Sequence, residues 1–181
     1  MTEVKRRSPF WLFTILLACW MLAVAGSLRA DTAPDPSNTT VLLTIVGDAT
    51  TSGETPATLK LTRADLESLP QVTFTTSTLW TEGKLTFSGP TLRSVLDRAG
   101  VPAGTTIEAV ALNDYRVTFM PSDIDAALPI IATRIDGQPF DIRNRGPLWI
   151  VYPYDRGAEY ATREKLALSI WQLISLRTSQ D

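Results

Sequence analysis

The chain has 181 residues, a formal net charge of −2, no histidine and a single cysteine. Histidine is the commonest general base and metal ligand, so a Ser-His-Asp triad and zinc sites built on histidine are excluded. No basic stripe runs through the sequence, and we therefore expect no nucleic-acid partner. The length suits a targeting segment followed by one domain with a substantial hydrophobic core.

The amino-terminal residues have the order of features found in a secretory signal peptide. Residues 5–7 are basic, residues 9–24 form an uncharged apolar run, and small residues follow. The run is shorter than the ~20 residues that a membrane-spanning helix needs, which favours a cleaved signal over a permanent anchor. We predict that residues 1–30 are a signal peptide cleaved after Ala25 or Ala30, and that the protein is exported to the periplasm.

Two other export signals match less well. Arg6 and Arg7 resemble a twin-arginine signal, but Pro9 stands where that signal has an apolar residue. Cys19 resembles the cysteine of a lipoprotein box, but the apolar run continues beyond it. Because Cys19 is the only cysteine, signal cleavage leaves a mature domain that forms neither a disulfide nor a reactive thiolate.

A polar, proline-containing linker at residues 31–40 precedes a domain at residues 41–181 in which short strands and short helices alternate. Runs of β-branched and apolar residues predict strands at residues 41–46, 59–61, 71–78, 84–87, 106–112, 115–119, 130–135 and 148–152. Asn113 and Asp114 predict the turn of a hairpin between the fifth and sixth of these strands.

The first two predicted helices have recognisable starts and ends. Thr62 and Asp65 form a capping box that begins the first helix, which ends before Pro70. A turn at residues 88–90 leads into the second helix, where apolar residues recur at helical spacing over residues 92–99.

The carboxyl-terminal third contains one more helix start and one ambiguous segment. Ser122 caps a predicted third helix that runs to residue 128, and Asp136 with Gly137 predicts a tight turn. Apolar residues at 166–173 have helical spacing, whereas alternation at residues 173–176 predicts a last strand. The whole pattern is α+β with a mainly β, mixed-sheet core and short helices.

A series of motifs occurs in a characteristic order at residues 61–66, 69–70, 87–90, 92–100, 113–117, 121–123, 136–139, 146–148 and 151–153. This series resembles the molybdopterin-binding domain of the sulfite oxidase family, and more closely the short exported members that consist of that domain alone. The resemblance covers residues 41–177. It implies a mainly β, sulfite oxidase molybdopterin-domain-like fold with a cleft for the pterin.

Two positions depart from what the resemblance implies. In the catalytic members a cysteine binds molybdenum just after the strand that follows a Leu-Pro motif, which is Leu69-Pro70 in this sequence. Thr76 stands at the position of that cysteine here. A threonine hydroxyl does not replace a soft thiolate on molybdenum. Trp149 follows the Gly-Pro-Leu motif, where those members commonly have arginine. Both departures argue against sulfite-type oxygen transfer, and they leave binding of molybdopterin open.

Nine residues are candidates for binding a ligand, and we assign no catalytic residue and no metal ligand. The candidates are Thr76, Trp80, Tyr115, Arg116, Arg143, Arg145, Tyr154, Asp155 and Arg156. The arginines at positions 143, 145 and 156 suit a phosphate or a carboxylate, or else pair with nearby acids at the surface. Trp80 can stack on a planar ligand or fill the space of a lost cofactor. Tyr115 and Arg116 belong first to a hairpin turn.

Three functional hypotheses follow. The favoured one is a non-catalytic ligand-binding or sensory module, which binds a small anionic or planar molecule or presents its surface to a membrane receptor or sensor kinase. The second is an oxidoreductase that holds molybdopterin without a protein thiolate. The third is a structural envelope protein without a ligand.

Overall fold

The computed structural model describes residues 39–47 and 58–179. The predicted signal peptide, nearly all of the predicted linker and the predicted loop at residues 50–56 lie outside the described residues. None of the helices in the described ranges is long and apolar enough to cross a membrane.

The largest sheet contains five strands, β1 (Val41–Val46), β2 (Thr58–Thr62), β5 (Thr106–Ala111), β6 (Arg116–Phe119) and β12 (Leu173–Ser179). Their order across the sheet is β2-β1-β12-β5-β6. Strand β1 runs parallel to β12, and the other neighbours are antiparallel. The sheet is therefore mixed, and it joins the two ends of the described chain at its centre.

Two smaller sheets and a few short helices complete the described domain. A four-stranded sheet has the order β3 (Gln71–Ser77), β4 (Lys84–Pro90), β8 (Arg134–Ile135) and β9 (Gln138–Pro139). A three-stranded sheet has the order β11 (Ile170–Trp171), β10 (Trp149–Val151) and β7 (Ile130–Ala132). The α-helices are α1 (Arg63–Glu67), α2 (Leu92–Arg98) and α3 (Arg163–Ala167), and short 3-10 helices lie at Pro121–Asp123, Ile142–Asn144 and Tyr154–Arg156.

The three-stranded sheet is buried on both faces. Ile131 and Ile150 belong to one hydrophobic cluster, which also contains the apolar face of α2. Ile130, Trp149 and Val151 belong to a second cluster. Successive side chains of a strand point to opposite faces, so a continuous apolar run fits a strand that has a core on either side. This arrangement explains the apolar character of β10.

Strand β4 continues through the residues for which the sequence predicts a turn. It pairs with β3 as far as Gln71 opposite Pro90, so the predicted turn at residues 88–90 is wrong. Gly89 permits a close approach to β7, because a Cβ at this position would lie 2.0 Å from the backbone oxygen of Ile131. The helix that follows is capped by the hydroxyl of Thr91 rather than started by the proline.

The third predicted helix is shorter than expected, and local hydrogen bonds give the reason. The third predicted helix is wrong beyond Pro121–Asp123, because Asp125 Oδ1 accepts hydrogen bonds from the N–H groups of Ala127 at 2.6 Å and Leu128 at 2.8 Å. Such side-chain bonds compete with helical ones. The capping box of α1 and the β5–β6 hairpin are confirmed. The tail forms the predicted last strand, β12.

Candidate functional site

Thr76, at the position where the family resemblance implies a molybdenum-binding cysteine, is completely buried near the end of β3. Its Oγ1 accepts a hydrogen bond from the backbone N–H of Asp155 at 3.0 Å, and its hydroxyl donates to the backbone oxygen of Ser77 at 3.2 Å. A hydroxyl has one donor and two acceptor positions, so most of this capacity is used within the protein. Thr76 therefore joins β3 to the 3-10 helix at Tyr154–Arg156.

Asp155 strengthens the same junction. Its carboxylate accepts hydrogen bonds from the hydroxyl of Ser77 at 2.6 Å and from its backbone N–H at 3.0 Å, and it pairs with Lys84 at 3.1 Å. The hydrogen bonds from Ser77, followed by the contact with Lys84, lower the pKa of Asp155 to about 2. The carboxylate is therefore ionised at neutral pH and engaged by the protein itself.

Four aromatic side chains, Trp80, Trp149, Tyr154 and Trp171, form a cluster beside this junction. The ring centroid of Trp80 lies 5.4 Å from that of Trp171, 6.0 Å from Trp149 and 6.3 Å from Tyr154. All three pairs are tilted or edge-to-face, which is a favourable geometry for aromatic contacts. Trp80 thus packs on three other rings of the protein.

Tyr154 has both its ring and its hydroxyl engaged. The hydroxyl forms a short hydrogen bond with the hydroxyl of Ser169, which in turn donates to the backbone oxygen of Lys165 at 3.0 Å. Burial, partly offset by the bond with Ser169, raises the pKa of Tyr154 to about 12. The phenol therefore stays neutral and links the aromatic cluster to α3.

A cavity of about 400 Å³ lies beside Trp149, and we call it the polar cavity. It is lined by Thr81, Leu85, Ile135, Gln138, Pro139, Phe140, Asp141, Asn144, Arg145 and Trp149. Asp141 Oδ1 accepts hydrogen bonds from the backbone N–H and the side-chain amide of Asn144, each at 3.0 Å. Its charge is therefore partly satisfied within the loop.

Two hydrogen-bond donors of the polar cavity have no acceptor among the described residues. Trp149 is completely buried, and its indole Nε1–H has no hydrogen-bond partner in that part of the chain. The guanidinium of Arg145 forms no ion pair there either. Buried donors are normally satisfied, so the unpaired indole of Trp149 is an exception, whereas the half-buried guanidinium of Arg145 remains available to an anion from outside the protein.

A second recess of about 640 Å³ shares three lining residues with the polar cavity, and we call it the apolar groove. Val41, Leu42, Leu112, Ile142 and Ile174 supply most of its walls, together with Pro139, Phe140 and Pro147. Arg63, Arg143 and Asp141 also line it. The segment Pro139–Asp141 therefore lines both the polar cavity and the apolar groove.

The structure gathers some of the nine predicted residues and separates others. Thr76, Trp80, Tyr154 and Asp155 lie together around the junction of β3, where the first and last form hydrogen bonds and the two aromatic rings pack on each other. The guanidinium carbon of Arg156 lies 6.0 Å from the ring centroid of Phe74.

Arg145 lines the polar cavity and Arg143 the apolar groove. On the hairpin, Tyr115 is 50% exposed and Arg116 pairs with Glu108 at 2.9 Å.

Sequence reasoning did not identify three polar residues of the polar cavity, Thr81, Gln138 and Asn144. The sequence held a usable signal for Asn144. Asp141 lies three residues before it, and an aspartate at that spacing typically caps the N–H of the later residue. Trp149 stood out only as a departure from the family pattern. Among the described residues no group of three or more acidic or cysteine side chains is placed to hold a metal ion.

No protein-family model and no curated protein matches the sequence. Among solved structures, the fold is similar to that of the sulfane dehydrogenase SoxCD from Paracoccus pantotrophus, with a TM-score of 0.55 and 18% sequence identity. The match covers 77% of this chain and 38% of that one, so this chain corresponds to well under half of that protein. The likeness confirms the predicted fold class: α+β, mainly β and sulfite oxidase molybdopterin-domain-like.

Proposed function

We propose that this chain is an exported, non-catalytic ligand-binding module that acts as a sensory partner of a membrane receptor or sensor kinase. The observation that carries the proposal is the state of Thr76. Its hydroxyl is buried and hydrogen-bonded to two backbone groups, where a catalytic relative needs a free thiolate. The order of features at residues 5–30 supports export.

The residues at this position do not fit a molybdenum centre that is bound by the protein. Thr76 offers a neutral oxygen, and molybdenum in this family takes a soft anionic sulfur. The nearby carboxylate of Asp155 is held by Ser77 and Lys84. Trp80 packs on Trp149 and Trp171 beside it. These contacts support a fold that has exchanged its metal site for packing.

The polar cavity is the site that we assign to the ligand. Arg145 supplies a guanidinium suited to a planar anion, and the buried ring of Trp149 forms part of the wall behind it. Asn144 and Gln138 add amide groups. Its volume, about 400 Å³, falls within the range of small-molecule sites, which span ~300–1,000 Å³. A small planar molecule with a carboxylate or similar oxyanion matches this set.

The first test is the metal content of protein purified from its export compartment in a molybdenum-replete host. We expect far less than one molybdenum per chain by elemental analysis, and no pterin fluorescence after oxidation, because the protein offers no thiolate ligand. A molybdenum enzyme purified from the same cells serves as the control for cofactor supply. A value near one molybdenum per chain would instead support the alternative, an oxidoreductase that holds molybdopterin without a protein thiolate. The similarity in fold is the observation that favours this alternative.

The second test is binding of benzoate, a planar carboxylate, with benzamide as its neutral counterpart. We expect Arg145→Gln to weaken benzoate binding about tenfold, since a hydrogen bond to a charged group contributes ~1.5–3 kcal/mol. Arg98→Gln, at an exposed position of α2, is the matched control and should leave the affinity unchanged. Equal calorimetric affinities for benzoate and benzamide, or for the parent and Arg145→Gln, would contradict the assigned site.

A further inference from the structure

The apolar groove collects aliphatic side chains that are unusually exposed. Among the described residues, Val41 is 45% exposed, Leu112 49%, Ile142 54% and Ile174 37%, and all four line this one groove. Exposed apolar side chains that occur singly need no explanation, but a contiguous set marks an interaction site. The polar cavity does not use these residues, so the groove calls for an occupant of its own.

The walls of the groove are held in place by backbone and side-chain hydrogen bonds. Val41 and Ile174 lie on β1 and β12, which are adjacent parallel strands of the largest sheet. The N–H of Leu112 donates to the backbone oxygen of Gln172 at 2.9 Å. The side-chain amide of Gln172 donates to the backbone oxygen of Ile142 at 2.8 Å. Gln172 thus connects the backbone at both Leu112 and Ile142 to the sheet. The groove is therefore formed before a ligand binds.

The charges of the groove favour a negative head group. Arg63 and Arg143 both line it, and the single acid among its lining residues, Asp141, accepts two hydrogen bonds from Asn144. Arg143 is exposed and forms no ion pair among the described residues. An occupant with an apolar body and one anionic end would therefore match both the walls and the charges.

We propose that the apolar groove binds a single-chain carboxylate, a free fatty-acid-type amphiphile. The aliphatic chain lies between β1, β12 and the loop of Ile142, and the carboxylate lies at Arg143. A volume of about 640 Å³ is within the ~300–1,000 Å³ of small-molecule sites, which favours a small amphiphile over a flat protein surface. The inference is independent of the proposed function, because the two recesses share only the segment Pro139–Asp141.

The test is calorimetric titration of the purified exported protein with decanoate below its micelle-forming concentration. Hexanoate, decanol and decyltrimethylammonium are compared with it. We expect one decanoate per chain, and at least about tenfold weaker binding of hexanoate, since each buried CH₂ contributes ~0.8 kcal/mol. The cationic amphiphile should also bind at least about tenfold more weakly, because it cannot accept a hydrogen bond from a guanidinium.

Two variants locate the site. Ile142→Asn should weaken decanoate binding about tenfold, and Arg143→Gln should weaken decanoate binding while leaving decanol binding unchanged. Met120→Asn is the matched control, because Met120 is 48% exposed but lies outside the groove. Near-ultraviolet circular dichroism checks that each variant is folded.

Several outcomes would overturn the proposal. These are equal affinity for the anionic and cationic amphiphiles, an equal loss in Met120→Asn and Ile142→Asn, or binding to phosphatidylglycerol vesicles without binding of free decanoate. A dimer of the parent protein that Ile142→Asn dissociates, with no decanoate binding, would assign the groove to a second copy instead. The benzoate experiment tests the polar cavity separately. A negative result in one experiment therefore leaves the proposal for the other recess standing.

Discussion

Replacing Trp149 with alanine is expected to lower the free energy of unfolding by about 4 kcal/mol, within the ~3–5 kcal/mol typical of buried Phe or Trp truncated to Ala. Trp149 is completely buried in β10, and its ring lies 5.4 Å from that of Phe87 and 6.0 Å from those of Trp80 and Trp171. Truncation removes these contacts and leaves a cavity that the surrounding sheet cannot fill. Urea unfolding followed by far-ultraviolet circular dichroism measures the loss.

The control for this prediction is a large apolar residue that makes little contact. Leu79 is 76% exposed, so Leu79→Ala should change the free energy of unfolding by no more than about 0.5 kcal/mol. A loss below about 1 kcal/mol in Trp149→Ala would mean that the aromatic cluster is loosely packed, and that Trp80 is free to contact a ligand. Such a result would weaken the view that these rings replace a cofactor.

Replacing Gly146 with alanine is expected to destabilise the protein by about 3 kcal/mol, the upper part of the usual range for overpacking. A Cβ at Gly146 would lie 2.1 Å from the backbone oxygen of Phe140 and 2.7 Å from that of Asp141. Both atoms belong to the segment that lines both recesses, and backbone atoms cannot move aside as a flexible side chain can. Thermal and urea unfolding of the variant measure the change.

Gly157→Ala is the matched control for this substitution. A Cβ there also meets close atoms, but these are the carboxylate oxygens of Glu159, at 2.3 and 2.6 Å, which can rotate away. The backbone of Gly157 is extended, with φ −178°, so alanine is conformationally acceptable. Gly146→Ala should therefore be clearly less stable than Gly157→Ala. It should also weaken benzoate and decanoate binding together, and unchanged affinities would show that the shared segment does not shape either recess.

Local chemistry in the sequence was sufficient to predict several elements. The pairing of Thr62 with Asp65 predicts the start of α1, since both hydrogen bonds of a capping box form between residues three apart. Asp136 and Gly137 predict a tight turn, and both adopt the positive φ that such a turn between β8 and β9 requires. The order of motifs was enough to predict the fold class. These features depend on near neighbours in the chain or on a familiar pattern.

Tertiary packing decided the remaining features, because they depend on residues far apart in sequence. Strand β4 continues through Gly89, where β7 passes so close that there is no room for a Cβ. The strand propensity of residues 88–90 gives no sign of this contact. Trp80, Trp149 and Trp171 come from three segments that meet only after the sheets form. Their mutual contacts cannot be inferred from their spacing.

The candidate sites show the same division. The sequence contains no histidine, which excludes metal sites built on that ligand, and the threonine at position 76 predicts that no protein thiolate binds molybdenum. The sequence did not separate Arg143 from Arg145, which are two residues apart. Arg145 has a left-handed backbone conformation, with φ 67°, at the end of the 3-10 helix, and the two side chains line different recesses. That separation arises from the folded loop, whose shape is set by Asp141, Gly146 and Gln172 through contacts that exist only in the native structure.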